Sequence, residues 1–291
     1  MNRPTFNILV PYDFSEQSHI GLLQAKYIAE NRPVKINVLH VIRENIAPWN
    51  IFTPEEKNLY LTKTSETINN ICTGKEFAFN NFAVYVEFGK LNDVVLQTAT
   101  QLNIDCIVMG TNAGDVFKKK IIGSNALKIV NEAKIPVITL KVGSELQDIS
   151  TIILPLDLSK ETREKVPIAI KMAKLLEAKI KVVSLISTND EFIFKNIQNQ
   201  GYQTLDFIKQ RGIECTLDII KYEGNSRQKV ISEYLTNNRG LAIITTNQQS
   251  EIIDFFIGSF ASDLIQIAPV PVMSIAPRGV FKYNMEMPGI Q

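Results

Sequence analysis

The stretch ILVPYDFSEQS at 8–18 returns later in the chain as ILPLDLSKETR at 153–163. Asp13 falls on Asp157 and Ser15 on Ser159, an offset of 144 that also sets NVLHV (37–41) against KVVSL (181–185). Further on the offset is 135: Gly89 meets Gly224, Gly123 and Ser124 meet Gly258 and Ser259, and Ile135-Pro136-Val137 meets Val270-Pro271-Val272. One length change between residues 42 and 88 accounts for the difference, the first copy being the longer. Self-similarity at this scale is the mark of a repeated architecture. A chain of 291 residues has room for two domains of ordinary size. The polar stretch VGSELQDIS (142–150) is the seam, which predicts domains over 1–143 and 149–291.

Within each copy, short apolar runs alternate with helical periodicity. FNILV (6–10) ends at Pro11, and Ser15 is placed to cap a helix by accepting an orphan N–H of its first turn. Leu22, Ala25, Ile28 and Ala29 share one helical face, as do Val166, Ala169, Met172 and Ala173 in the second copy. The first copy continues with VKINVLHVI (34–42), a long helix from about Pro54 to Phe79, FAVYVEF (82–88) and a helix over 91–102. IDCIVMG (104–110), a loop, a helix opening at Ser124 and PVITLK (136–141) complete it. Five strands joined by helices predict a doubly wound parallel sheet, because parallel neighbours need crossovers of that length. The runs are apolar nearly throughout, as strands covered on both faces are.

Composition excludes several classes. Apolar residues make up 45% of the chain and the formal net charge is +1, which is not the profile of a disordered chain. That balance supplies no basic field for nucleic acid or an anionic membrane. No apolar run reaches membrane-span length, and the run before Asp13 is too short for a signal-peptide core. Cys72, Cys106 and Cys215 are an odd, scattered set without a CxxC, expected to be buried reduced thiols. His19 and His40 stand apart from any cysteine pair, so no zinc centre is expected, and His40 is expected in the core. A soluble cytoplasmic protein is the resulting expectation.

A doubly wound sheet takes ligands beyond the carboxyl ends of its strands, where strand order reverses. There the first copy offers Pro11-Tyr12-Asp13 after its first strand and Gly110-Thr111-Asn112-Ala113-Gly114 after its fourth. That loop closes on Gly123-Ser124 at a helix N-terminus, whose unpaired N–H groups favour anions. A carboxylate facing an N–H cradle suits a base with donor groups and a phosphate tail. In order, VPYDFSEQS, LHV, VMGT, GSN and KIPV resemble the universal stress protein family over nearly the whole chain, as two tandem copies. The resemblance implies two five-stranded domains of the adenine nucleotide alpha hydrolase-like fold. It also implies ATP or another adenine nucleotide as ligand, with magnesium as a possible companion. Nucleotide-binding members carry G-x2-G-x9-G-[ST] after the fourth strand. Gly110, Ala113 and Gly123-Ser124 meet that spacing here, with alanine for the middle glycine and Gly114 one place late. By the resemblance, Pro11 and Met109 line the site, Asp13 and the Val41 backbone contact adenine, and Gly110 lies near the ribose. The N–H groups at Ala113, Gly123 and Asn125, with the Ser124 hydroxyl, hold phosphates.

The second copy departs further: Thr245 stands for Gly110 and Gln248 for Ala113, leaving Asp157 and Gly258-Ser259. Its loop charge reverses, from Lys118, Lys119 and Lys120 with Asp115 to Glu251 and Asp254. Any nucleotide is therefore expected in the first copy, and the second is read as a structural half. Asp13 has a second reading, as an Asx-type anchor for its own loop. A regulatory module is one expectation; a protein-interaction module without nucleotide is the alternative. No G-x4-G-K-[ST] loop, metal cluster or SGG-type pyrophosphatase loop supports a dedicated catalyst, so at most weak ATP hydrolysis is expected. The last strands of the two copies invite edge pairing. The resemblance implies an intrachain pseudo-dimer, with room for a further homodimer or an unidentified protein partner.

Overall fold

The computed structural model describes residues 5–43, 52–111, 124–143, 149–156, 160–187, 189–223, 227–246 and 259–276. The chain divides into two compact units, 1–148 and 149–291. The first runs β1 (Phe6–Pro11), α1 (Glu16–Ala29), β2 (Val34–Arg43), α2 (Pro54–Thr73), β3 (Phe82–Gly89), α3 (Leu91–Gln101), β4 (Cys106–Thr111), α4 (Ser124–Glu132) and β5 (Val137–Lys141). The second runs β6 (Thr151–Leu156), α5 (Lys160–Leu176), β7 (Lys179–Ile186), α6 (Glu191–Lys209), β8 (Cys215–Lys221), α7 (Arg227–Asn237), β9 (Leu241–Thr245), α8 (Ser259–Ile267) and β10 (Val272–Ile275).

Strands of the first unit lie in the order β3-β2-β1-β4-β5 and pair in parallel throughout. The second unit has the matching order β8-β7-β6-β9-β10, also parallel. The chain leaves β1 for β2 on one side and later returns to β4 on the other. That reversal opens a crevice at the carboxyl ends of β1 and β4. Register then decides what stands around it. Phe6 to Pro11 pair with Val34 to Leu39, so the last residues of β2 run on past the end of β1.

Burial follows the apolar runs. Ile8, Leu9 and Val10 are shut from solvent in β1, as are Ile107 and Val108 in β4. From α1, Leu22, Ala25 and Ile28 pack onto this sheet, while Ala29 at the helix end is only half-buried. Val166, Ala169, Met172 and Ala173 are all buried in α5. Helix α2 starts where expected: Thr53 and Glu56 form a reciprocal capping box, with Pro54 in the first turn. It stops at Thr73, short of Phe79. Gly74 leaves the helix in an extended conformation, its N–H held by the carbonyls of Asn70 and Ile71. The chain then turns back through Ala78, at φ 48°. That turn seats Phe77 in the core, its ring 5.1 Å from His19 and 5.3 Å from Phe79. Burying one aromatic ring outweighs continuing an exposed helix.

None of the three cysteines forms a disulfide, and all are buried. Burial pushes the Cys72 and Cys215 thiols up to about 11, so neither is a thiolate near neutral pH. A disulfide reagent at pH 8 is therefore expected to leave the native chain unlabelled and to modify all three thiols once the chain is unfolded in denaturant.

Candidate functional site

The loop from β1 into α1 is tied by a short network. The Asp13 carboxylate accepts the Ser15 N–H through Oδ1 at 3.2 Å and the Ser15 hydroxyl through the same oxygen. Ser15 Oγ in turn accepts the Ser18 N–H at 3.2 Å, capping α1 as expected. The Ser18 hydroxyl donates to the Ser15 carbonyl at 2.9 Å and accepts the Asp13 N–H at 3.2 Å. The Asx-type anchor is thus present, and it occupies only one of the two carboxylate oxygens. The other, Oδ2, faces Arg43, whose Nη2 lies 3.9 Å away.

Phe14 completes the turn at φ 66°, a left-handed conformation that bulky side chains seldom adopt. Its ring is held 5.2 Å from Tyr12 and 5.3 Å from His40. His40 does not sit in the core as expected. It is half-buried, with Nδ1 2.8 Å from the Tyr12 carbonyl. A carbonyl only accepts, so the Nδ1–H donates and fastens the β2 overhang to the loop. Tyr12 N–H continues the pairing onto the Leu39 carbonyl at 2.8 Å.

Burial pushes the Asp13 carboxyl up, but hydrogen bonds from Ser15 and Ser18 and the nearby Arg43 guanidinium outweigh it, leaving the group below the ordinary aspartate range. A carboxyl lowered on folding stabilises the fold above its unfolded value. That contribution is lost as the pH falls through the folded one. Ser15→Ala is accordingly expected to raise the Asp13 titration midpoint, followed by carbon NMR, toward the ordinary aspartate range. Acid unfolding of that variant is expected to begin at a higher pH than in the wild type.

Around this loop lies a half-enclosed crevice of about 220 Å³. Pro11, Tyr12, Asp13, Ser15, Gln17 and Ser18 form one wall, with Leu39, Val41 and Arg43 from β2 beside them. Those three alternate along the strand and so share one face. Leu91 opens α3, Met109, Gly110 and Thr111 end β4, and Asn125 and Ala126 come from the first turn of α4. Six of the residues implied by sequence (Pro11, Asp13, Val41, Met109, Gly110 and Asn125) therefore meet at one crevice. Ala113 and Gly123 lie outside the described residues, as do Lys118, Lys119 and Lys120. Ser124 begins α4, and its side chain is likewise not described. Arg43, Gln17 and Leu91 line the crevice without having been singled out. The length of β2 relative to β1 was the available signal for Arg43.

Gly110 has a reason for being glycine that the sequence did not disclose. A Cβ there would stand 1.9 Å from the carbonyl oxygen of Gln17, in the first turn of α1. Across the same seam, a Cβ on Gly21 would stand 2.9 Å from the Gly110 nitrogen. The two glycines let α1 lie directly on the end of β4, and this close approach forms the floor of the crevice. Gly110→Ala must drive helix and strand apart. Overpacking of this kind costs about 1–3 kcal/mol, and urea unfolding is expected to show a midpoint lowered accordingly with the slope retained.

The second unit lacks this seam. Lys165 stands where the offset of 144 puts Gly21, and it is buried, at 4% exposure. Thr245, for Gly110, ends β9. One feature is shared: the Thr111 hydroxyl donates to the Leu140 carbonyl at 3.3 Å and the Thr246 hydroxyl to that of Ile275 at 3.4 Å. Asp157, Gln248, Glu251, Asp254 and Gly258 lie outside the described residues, and the Ser259 side chain is not described. Among the described residues of the whole chain, no group of three or more His, Cys, Asp or Glu is placed to hold a metal, and no helix is long and apolar enough to cross a membrane.

The fold and crevice define a doubly wound α/β protein of the nucleotide alpha hydrolase-like class. Residues 5–141 match the model of the universal stress protein family. The match covers the first unit, which is thus a universal stress protein domain. Its fold is similar over both units to the universal stress protein of Archaeoglobus fulgidus DSM 4304, at TM-score 0.69 and 18% identity, covering 93% of this chain and 96% of that one. A candidate universal stress protein from Pseudomonas aeruginosa UCBPP-PA14 is similar at TM-score 0.66 and 16% identity, covering 94% of each chain. A functionally unknown protein from Pseudomonas aeruginosa PAO1 is similar at 0.64 and 16%, covering 94% and 93%. No curated protein matches the sequence.

Proposed function

We propose that the first unit binds one adenine nucleotide, ATP in the first instance, and that the chain acts as a nucleotide-dependent regulatory module in the stress response. What carries the reading is the convergence on one crevice of residues from β1, β2, β4 and α4, in a unit that matches the universal stress protein family. The walls fit the ligand chemically. Leu39, Val41, Leu91, Met109 and Ala126 supply apolar surface for a flat base. Asp13 Oδ2 is an acceptor for an exocyclic amine, since Ser15 occupies only Oδ1. Asn125 sits in the first turn of α4, where the partial positive charge of a helix favours phosphate.

The second unit is proposed not to share this role. Its matching seam carries Lys165 and Thr245 in place of two glycines, so the floor of the first crevice has no counterpart there. Binding rather than turnover is the proposal for the first. Asp13 is the one carboxylate among the residues described as lining its crevice.

Isothermal calorimetry with ATP is expected to give one site per chain. Asp13→Asn keeps an oxygen for the Ser15 N–H and removes the charge. A hydrogen bond to a charged group contributes about 1.5–3 kcal/mol, so the variant is expected to bind about 10- to 100-fold more weakly. Two equivalent sites, or none in a folded chain, would overturn the assignment.

A further inference from the structure

We propose that Arg43 exchanges partners, pairing with Asp13 in the empty crevice and with the ligand's phosphates in the filled one, and thereby makes the site select nucleotides over nucleosides. The inference rests on the adenine-nucleotide reading of the crevice and goes beyond it, naming what sets the preference for a phosphorylated ligand.

Three observations carry it. First, Asp13 and Arg43 are the only charged residues among those described as lining the crevice. A polyphosphate entering beside Asp13 meets like charge, and Arg43 is the lining cation able to offset it. Second, the two carboxylate oxygens of Asp13 are not equivalent. Oδ1 takes both the N–H and the hydroxyl of Ser15, whereas Oδ2 has Arg43 at 3.9 Å. A base amine seeking Asp13 therefore competes with Arg43 for Oδ2. Third, the existing pair is loose. Its separation exceeds a hydrogen bond, and the side chains are 44% and 51% exposed. Pairs of this kind are weakly held and easily traded.

The overhang of β2 makes the exchange possible. His40 fixes that strand end to the Asp13 loop through the Tyr12 carbonyl, so the root of Arg43 stays put while its long side chain turns. The guanidinium presents five N–H donors in a fork that matches phosphate oxygens. With a nucleoside there is no phosphate to draw Arg43 away, and it continues to compete with the base. Removing Arg43 should therefore weaken ATP without weakening adenosine.

The experiment titrates ATP and adenosine separately into the wild type, Arg43→Met and Arg43→Lys. Ligand-observed NMR reaches the weak adenosine affinities, and circular dichroism confirms that each chain is folded. Arg43→Met is expected to weaken ATP about tenfold or more, leave adenosine no weaker than in the wild type, and so lower the ATP-over-adenosine preference about tenfold. Arg43→Lys, which keeps the charge, is expected to restore most of the ATP affinity. A preference unchanged in Arg43→Met, or adenosine weakened in step with ATP, would overturn the exchange and leave the nucleotide reading standing. Failure of the folded wild type to bind either ligand would overturn the nucleotide reading, and the exchange with it.

Discussion

Helix α1 crosses the end of β4 at a separation that only two facing glycines allow. A side-chain carbon at Gly110 would overlap the Gln17 carbonyl, and one at Gly21 would press on the Gly110 nitrogen. Everything at the crevice hangs from this contact. The first turn of α1 carries Ser15 and Ser18, and these hold Asp13 through hydrogen bonds of 3.2 Å. The position of the carboxylate relative to Met109 is thus set by backbone packing rather than by the loop alone. Packing of this kind is stiff, because protein interiors have little free volume to absorb a shift.

A second constraint comes from strand length. β2 is ten residues long against six in β1, so its end has no β1 partner and stands over the loop. His40 turns that surplus into a fixed wall by bonding the Tyr12 carbonyl, and Phe14 wedges its ring beside both. Residues in sparsely populated backbone regions persist where their surroundings over-determine them. Phe14 is such a residue, pinned by Tyr12 and His40 immediately after the one carboxylate on the crevice wall.

Much of this architecture was legible in the sequence. Apolar runs at 6–10, 34–42, 82–88, 104–110 and 136–141 mark the five strands of the first unit to within two residues, because parallel strands covered on both faces must be apolar. Ser15 was legible as a cap, since its partner is only three residues away. The end of α2 was not. Gly74 is a local stop signal, though one glycine alone does not forbid a helix; what completes the turn is the tertiary contact that pulls Phe77 into the core beside His19. At the crevice, Asp13, Val41 and Asn125 were readable from the order of segments. Arg43 was not, because its place depends on how far β2 outruns β1, a matter of register between two strands 28 residues apart. Gly110 was read as a ligand neighbour, whereas the demand for glycine there comes from Gln17, nearly a hundred positions earlier. No local pattern encodes that meeting.

The contrast between Gly21 with Gly110 and Lys165 with Thr245 bears on how the two halves have come to differ. Adopting the first unit's seam in the second would call for glycine at both positions together. Exchanging Lys165 alone would leave Thr245 against the helix backbone, and exchanging Thr245 alone would leave the lysine in the seam. Each single step back meets an obstacle that the other step must remove.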